Sequence, residues 1–390
     1  MHRPAQEGRF LKVAVAAAVV SFSVAAHAAD PGITDSEIVL GASAALSGPN
    51  ASIGKESHDG AQYAARKLNE AGGVEIGGET YRIEIINVDD ESKAERSVAG
   101  AEKLIGENDV PVLLMPASST STLAVVPVAE KNKRVALSFV AAAPSVTSPE
   151  NTYSFRTTLT AIMNVAPSVE YLIKERGAKT IAYIGRNDDW GRAAGQVIGD
   201  TARSMGSEVV VEEYFDTGST DFYGLLTKVR AAQPDAVVGA AFVEDGVSMI
   251  KQYRELQMTP TFLSIAVIWA SPTFINAAGA AMEGIYISTG PTTSTSPGLE
   301  AFKSQYKADT GAEALPYNVT AWDNVMLVVE AMKAAGTTDP EKLAATLRNF
   351  EYEGLLQTYK FDNSGQSQVV INVNEFKDGK VSVISSLTTR

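Results

Sequence analysis

From Ile38 onward, short β-branched apolar runs alternate with longer segments of helical period, and few architectures accept that alternation. A strand buried on both faces reads as an unbroken apolar run, and a helix between two such strands lets them lie parallel. Strands are expected at Ile38 to Gly41, Ile83 to Val88, Val112 to Met115 and Val135 to Ser138. A helix is read over Ser57 to Ala71, where Ala61, Ala64, Ala65 and Leu68 share a face and Gly72-Gly73 supplies a left-handed stop. Gly77-Gly78 breaks the segment from Val74 to Ile86 and predicts a hairpin there.

After Tyr153 to Arg156 the same alternation begins again. It predicts strands at Thr180 to Gly185, Val209 to Tyr214, Ala236 to Ala240, Thr261 to Ile265 and Ile285 to Ser288. The helices between them are read at Val165 to Arg176, Gly191 to Met205, Phe222 to Ala232 and Gly246 to Leu256. Pro291 to Pro297 reads as a crossing segment, followed by helices at Leu299 to Thr310, at Asn318 to Ala335 and from Pro340. A hairpin of Val369 to Phe376 with Val381 to Ser386 ends the chain. Pro127 and Pro167 fall inside expected helices, which predicts late starts or kinks. The fold class is therefore α/β with two Rossmann-like lobes and a ligand cleft between them. The expected boundaries are 29–159 with 290–368 for the first lobe and 160–289 with 369–390 for the second.

Arg3, Arg9 and Lys12 precede an apolar stretch from Val13 to Val24 and a small-x-small site at Ala26-His27-Ala28, so residues 1–28 read as a secretory signal peptide. The apolar stretch is short for a bilayer, and the expected location is periplasmic. The formal net charge is −13, and losing those three cations together with Glu7 makes it −15. Nucleic acid and anionic membranes are therefore not expected partners. Cysteine is absent, so no disulfide supports the fold and no lipid anchor is expected at the cleavage site. His58 would be the one histidine left after cleavage, which argues against metal sites and against a serine–histidine hydrolase.

The run Ser118-Ser119-Thr120-Ser121-Thr122 lies between an apolar strand and a helix opening near Leu123. Unpaired N–H groups, the positive end of the helix dipole and hydroxyl donors would meet there and hold an anion. An ordinary Ser/Thr N-cap is the alternative, and it needs one hydroxyl.

The residues resemble the type I periplasmic binding proteins, in the leucine/isoleucine/valine-binding branch that serves ATP-driven importers. The resemblance covers nearly the whole chain after residue 28 and rests on order and spacing. It runs through Ala45-Leu46-Ser47-Gly48-Pro49, Gly60-Ala61, Asn69-Glu70-Ala71-Gly72-Gly73, Asp89-Asp90, Ser118-Ser119, Pro127-Val128-Ala129-Glu130, Arg156-Thr157 and Gly191 after an aromatic.

The resemblance implies that Ser119, beside Ser118, binds a ligand carboxylate together with backbone groups of Phe139 to Pro144, including Val140, Ala141 and Ala142. It further places lid aromatics at Trp190 and Phe242 and a first-lobe wall at Ile53 and Tyr317. Amino-acid binders of this family hold the α-ammonium with acidic side chains where Ala161 and Ala266 stand here, and a threonine that backs the carboxylate is replaced by Ala142. Burying an ammonium without a carboxylate partner costs several kcal/mol. The expected ligand is thus a small hydrophobic carboxylate without an α-amine, an aromatic acid or a keto acid, with Trp269 as a further ring face. Leucine-like amino acids are the alternative if Asp188, Asp189, Glu244 or Asp245 reaches inward.

Asp89-Asp90-Glu91 with Glu95 could hold a hard cation or act as acidic caps, and the caps are preferred. The sequons at Asn50 and Asn318 carry no weight here. His58 faces the cleft or caps a helix start. A sensory ectodomain would need a membrane span, and an enzyme would need an activated nucleophile; neither is read, so no catalytic residue, cofactor or metal is expected. The expected partners are a small carboxylate and an importer permease, with the chain a monomer.

Overall fold

The computed structural model describes residues 1–2, 30–34, 36–290 and 297–388. Apart from its first two residues, the expected signal peptide lies outside the described residues, as does the Pro291 to Pro297 crossing except for Pro297 itself.

The first sheet takes β1 (Glu37–Ala44), β2 (Val74–Ile76), β3 (Glu79–Asp89), β4 (Val112–Leu114), β5 (Val135–Ser138) and β6 (Ser154–Arg156) in the order β2-β3-β1-β4-β5-β6. All its pairings are parallel except the β2–β3 hairpin at Gly77-Gly78. Helices α1 (Ala51–Glu70), α2 (Ala94–Asn108) and α3 (Ser119–Lys131) connect its strands.

The second sheet contains β7 (Thr180–Arg186), β8 (Glu208–Phe215), β9 (Ala236–Ala240), β10 (Thr261–Ser264) and β11 (Ile285–Thr289), all parallel. Its helices are α4 (Ala161–Lys174), α5 (Asp189–Ser204), α6 (Tyr223–Ala232), α7 (Val243–Glu255) and α8 (Pro272–Ala278). The chain then returns to the first lobe as α9 (Pro297–Thr310), α10 (Pro316–Ala335) and α11 (Pro340–Asn349), with a small pair β12 (Glu351–Glu353) and β13 (Thr358–Lys360). Finally β14 (Val370–Lys377) and β15 (Lys380–Thr388) join the edge of the second sheet antiparallel to β11. The chain thus passes between the sheets after β6, after β11 and before β14.

Alternating apolar residues of the strands bury against the helices on each side, as in Ile38 and Leu40 of β1 against Ala64 and Ala65 of α1. Helix α1 also packs closely on α10. A Cβ on Gly60 would lie 2.2 Å from the carbonyl oxygen of Asn318, so only glycine permits that approach. Helix α1 begins at Ala51, six residues before the expected Ser57, which places His58 in its second turn. Gly54 does not break it: a Cβ there would meet the Ala45 carbonyl, so this glycine too serves close packing.

Pro127 and Pro167 correct the reading of late starts. Helices α3 and α4 begin before them and continue through. In α4 the full burial of Val165, Val169 and Leu172 on one face outweighs a proline penalty of about 3 kcal/mol.

At the first passage Arg156 is buried, with Nε donating to Gln366 Oε1 at 2.5 Å and Nη2 to Thr147 Oγ1 at 3.1 Å. The Gln366 amide in turn donates to the Thr158 carbonyl at 2.9 Å. The outgoing and returning passages are therefore tied together.

Candidate functional site

Open α/β sheets collect ligands at the carboxyl ends of their strands. Here the ends of both sheets face one another across a cavity with about 580 Å³ of atom-free space, part of it open to solvent. Ser118 and Ser119 follow β4, Val140 and Ala142 follow β5, and Thr158 and Leu159 follow β6. From the opposite lobe come Asp188 and Trp190 after β7, Phe242 after β9, Ile265 to Val267 after β10, and Ser288 and Gly290 at the end of β11. Tyr317, in the first turn of α10, and Asn164, in the first turn of α4, complete the wall.

Eight of the ten residues singled out in the sequence lie on this wall: Ser118, Ser119, Val140, Ala142, Trp190, Phe242, Ala266 and Tyr317. Ile53 and Ala141 do not. Ile53 is fully buried behind the wall in a cluster with Ala117 and Tyr317, and Ala141 packs with Ala143 and Val146. Trp269 is likewise a core residue, stacked on Phe262 at 5.5 Å and Phe274 at 4.4 Å, with its indole N–H bonded to the Ala241 carbonyl at 2.7 Å. Thr158, Leu159, Asn164, Ile265, Val267, Ser288 and Gly290 were not anticipated. Most follow directly on strand ends, which is the signal that marks them; Asn164 has none. Ala161 opens α4.

At the serine end, Ser118 caps α3 by accepting the Ser121 N–H at 3.2 Å, and its carbonyl accepts the Thr122 N–H. The N–H groups of Ser119 and Thr120 have no partner within the helix, because a helix start leaves its first donors free. Ser119 Oγ accepts the N–H groups of Ala142 and Ala143 at 3.2 and 3.1 Å. That corrects the expectation for this loop: these two N–H groups are satisfied by the serine. With its oxygen serving as acceptor twice, the Ser119 hydroxyl proton is free to be donated into the cavity. Dipole, helix-start N–H groups and hydroxyl thus form one anion-favouring end.

The opposite wall is a stacked column. The rings of Trp190 and Phe242 lie 4.9 Å apart and 9° from parallel, and the Arg186 guanidinium sits 4.5 Å from the Phe242 centroid. Gly191 allows the turn that presents Trp190, since a Cβ there would lie 2.0 Å from the Arg186 carbonyl oxygen.

Arg186 is 1 % exposed. It approaches Asp188 Oδ2 at 3.3 Å and Asp245 Oδ2 at 3.7 Å, donates to Thr217 Oγ1 at 2.9 Å and reaches across the cleft to Asn50 Oδ1 at 3.0 Å. Asp188 is the single acidic side chain on the cavity wall among the described residues, and both its oxygens are engaged. Oδ1 caps α5 through the Gly191 N–H at 2.9 Å, and Oδ2 faces Arg186. Asp189 is exposed and donates its N–H to Thr120 Oγ1 at 3.5 Å, Glu244 accepts from Ser52 at 3.2 Å, and Asp245 is buried beside Arg186. With Arg186–Asn50, these cross-lobe bonds hold the two lobes in contact.

Glu56 of α1 is buried behind Tyr317 and accepts its N–H at 3.3 Å. Desolvation lifts its carboxyl from 4.5 to about 7, with Asp59 adding a smaller push and the Tyr317 N–H opposing. A raised acid contributes its stability below pH 4.5 and loses it as pH rises through 7. Glu56→Gln keeps an acceptor for Tyr317 but carries no charge. It is expected to raise stability at pH 8 by about 3 kcal/mol and to leave it unchanged near pH 4.5, as read by chemical denaturation at the two pH values.

Asp89 and Asp90 brace the turn before α2 and do not cap that helix, whose N-cap position is Lys93 without a side-chain bond, which corrects the reading of acidic caps. Asp89 accepts from the N–H groups of Leu46 and Glu91 and from the Ser47 hydroxyl, and Asp90 from Ser43, Ser97 and the Ser92 N–H. Among the described residues no group of acidic or histidine side chains is placed to hold a metal ion, and no helix is long and apolar enough to cross a membrane. His58 lies on a small first-lobe cavity with Ser57 and Asn87 and is not on the cleft wall.

Residues 37–379 match the family model described as periplasmic binding protein. The chain belongs to that family. Two relatives in Pseudomonas aeruginosa are each 25% identical to it. One, named an amino acid binding protein, aligns over 85% of this chain and 88% of its own length. The other, named a leucine-, isoleucine-, valine-, threonine- and alanine-binding protein, aligns over 92% of both.

Among solved structures, the branched-chain amino acid transporter substrate binding protein LivJ of Streptococcus pneumoniae, in complex with isoleucine, superposes with a TM-score of 0.80 at 23% identity, covering 90% of this chain and 99% of that one. A solute binding protein of an ABC transporter from R. palustris, in complex with benzoate, superposes at 0.81 with 19% identity over 91% and 98%. The two-lobe α/β fold is that of type I periplasmic binding proteins, so the family resemblance and the fold class read from the sequence both hold.

Proposed function

We propose that this solute-binding protein is the periplasmic receptor of an ABC-type importer and captures a small hydrophobic carboxylate that lacks an α-amine, an aromatic acid or a keto acid. The observation that carries the reading is the state of Asp188. The one acid on the wall among the described residues is already held by a helix N-terminus and by the buried Arg186, so an ammonium entering the cavity meets no free counter-charge there. The serine end offers donors to a carboxylate, each charge-assisted bond contributing about 1.5–3 kcal/mol. Between the two ends lie the Trp190–Phe242 stack, Tyr317 and aliphatic side chains, which suit a flat apolar body.

Ser118, Ser119, Val140, Ala142, Trp190, Phe242, Ala266 and Tyr317 are the residues we assign to the ligand, with Asn164 and Ser288 added from the wall. The first lobe takes the carboxylate, and closure adds the aromatic column, shifting the hinge equilibrium by the ligand's differential affinity for the closed form. In this reading residues 1–28 direct export, the protein acts as a monomer, and the closed rims meet the permease.

Amino-acid binding is the second reading, and the names of the Pseudomonas relatives favour it. A thermal-shift panel of benzoate, phenylglyoxylate, coumarate and leucine separates the two. At one hundred times its dissociation constant a ligand stabilises by about 2.7 kcal/mol, a shift of several degrees. An aromatic acid is expected to give that shift and leucine none; a shift with leucine alone would install the second reading.

A further inference from the structure

A second cavity adjoins the first at Tyr317. Thr158, Leu159, Val267, Gly290 and Tyr317 are also walls of a second chamber with about 490 Å³ of atom-free space, whose far side is formed by Phe139, Leu356, Gln357, Tyr359 and Val369. This chamber sits where the chain passes between the lobes: Thr157 to Leu159 follow β6, Gly290 follows β11 and Val369 precedes β14.

Three of the hydroxyls on its lining residues are committed to the protein. Thr157 donates to Asn324 Oδ1 at 2.7 Å, Thr320 to the Pro316 carbonyl at 3.0 Å and Tyr359 to Asp323 Oδ2 at 3.0 Å. Gln357 differs from these three. Its amide nitrogen donates to the Thr157 carbonyl at 3.2 Å, which fixes the side chain, while its Oε1 is buried and accepts from nothing among the described residues. A buried acceptor without a donor is costly and rare in native structures.

We propose that the ligand is an elongated carboxylate that passes Tyr317 into this hinge chamber, and that Gln357 Oε1 accepts a hydrogen bond from a hydroxyl at its far end. The inference rests on the carboxylate reading above and sets the substrate class within it: acids with a ring or chain long enough to span both chambers and a distal hydroxyl, as in a hydroxylated phenylpropenoic acid. Because the occupant touches the connecting segments, its length bears directly on closure, and Gln357 is a specificity residue for the far end.

The test is calorimetric titration of cinnamate and 4-hydroxycinnamate, with benzoate as a probe of the first chamber, into the wild-type protein, Gln357→Met and Gln357→Glu. Methionine fills a similar volume without the amide acceptor, and glutamate keeps an acceptor there. In the wild type the hydroxylated acid is expected to bind about five- to tenfold more tightly than cinnamate, the size of one net hydrogen bond. Gln357→Met should bring the ratio to about one, Gln357→Glu should retain the preference, and benzoate should bind all three proteins alike, which also reports that they are folded. Equal binding of the two long acids to the wild type, or a preference that survives in Gln357→Met, would overturn the proposal while leaving benzoate binding intact. Failure of all three acids to bind would instead remove the carboxylate reading beneath it.

Discussion

Replacing Arg186 with methionine is expected to lower folding stability by about 3–5 kcal/mol, because it strips the counter-charge from the buried Asp245 and from the half-buried Asp188. Asp245 is the sensitive one. Burial pushes its carboxyl above the ordinary range, and Arg186 is the largest influence pulling it back. Without the guanidinium that acid rises further, so the folded state is penalised most where Asp245 must ionise and least where it is protonated. The loss should therefore be larger at pH 8 than at pH 4.5 in chemical denaturation. The substitution also removes the bond to Asn50 and the cation on Phe242. A loss below 1 kcal/mol, or one independent of pH, would mean that Arg186 does not balance these acids.

Ser119→Ala is expected to weaken binding of an aromatic carboxylate such as benzoate about 10- to 100-fold, the range of one charge-assisted hydrogen bond. The same hydroxyl oxygen positions the loop after β5 through the N–H groups of Ala142 and Ala143, so a smaller loss of stability should accompany the loss of affinity. Measuring benzoate and benzamide by calorimetry separates the effects. A donor aimed at a negative charge should cost the acid far more than the amide, whereas equal losses would assign Ser119 to loop positioning alone.

The strands were legible because parallel strands buried on both faces leave unbroken apolar runs, and β5 and β9 fall on the expected residues. The start of α1 was not, since glycine signals a turn in sequence whereas Gly54 here permits close backbone contact. Within the site, the family resemblance marked Trp190 as a lid aromatic. Trp269 was read as a further ring face, yet its indole N–H is paired inside the second lobe, a fact that depends on where the Ala241 carbonyl lies. Arg186 gave no signal at all: it ends a strand as an ordinary cation, and its partner Asn50 is 136 residues away in the chain. Gln357 was equally silent, because an orphaned amide oxygen is a property of packing.

Calorimetric titration of matched pairs that differ at one atom position tests the central claim most directly: 4-methyl-2-oxopentanoate against leucine, and phenylpyruvate against phenylalanine. Each pair keeps the carboxylate and the apolar body and exchanges a ketone oxygen for an ammonium. A cavity with a donor-rich end and no free acid should bind each oxo acid at least tenfold more tightly than its amino acid, the cost of burying an unpaired ammonium being several kcal/mol. Tighter binding of leucine or phenylalanine than of its oxo acid would contradict it.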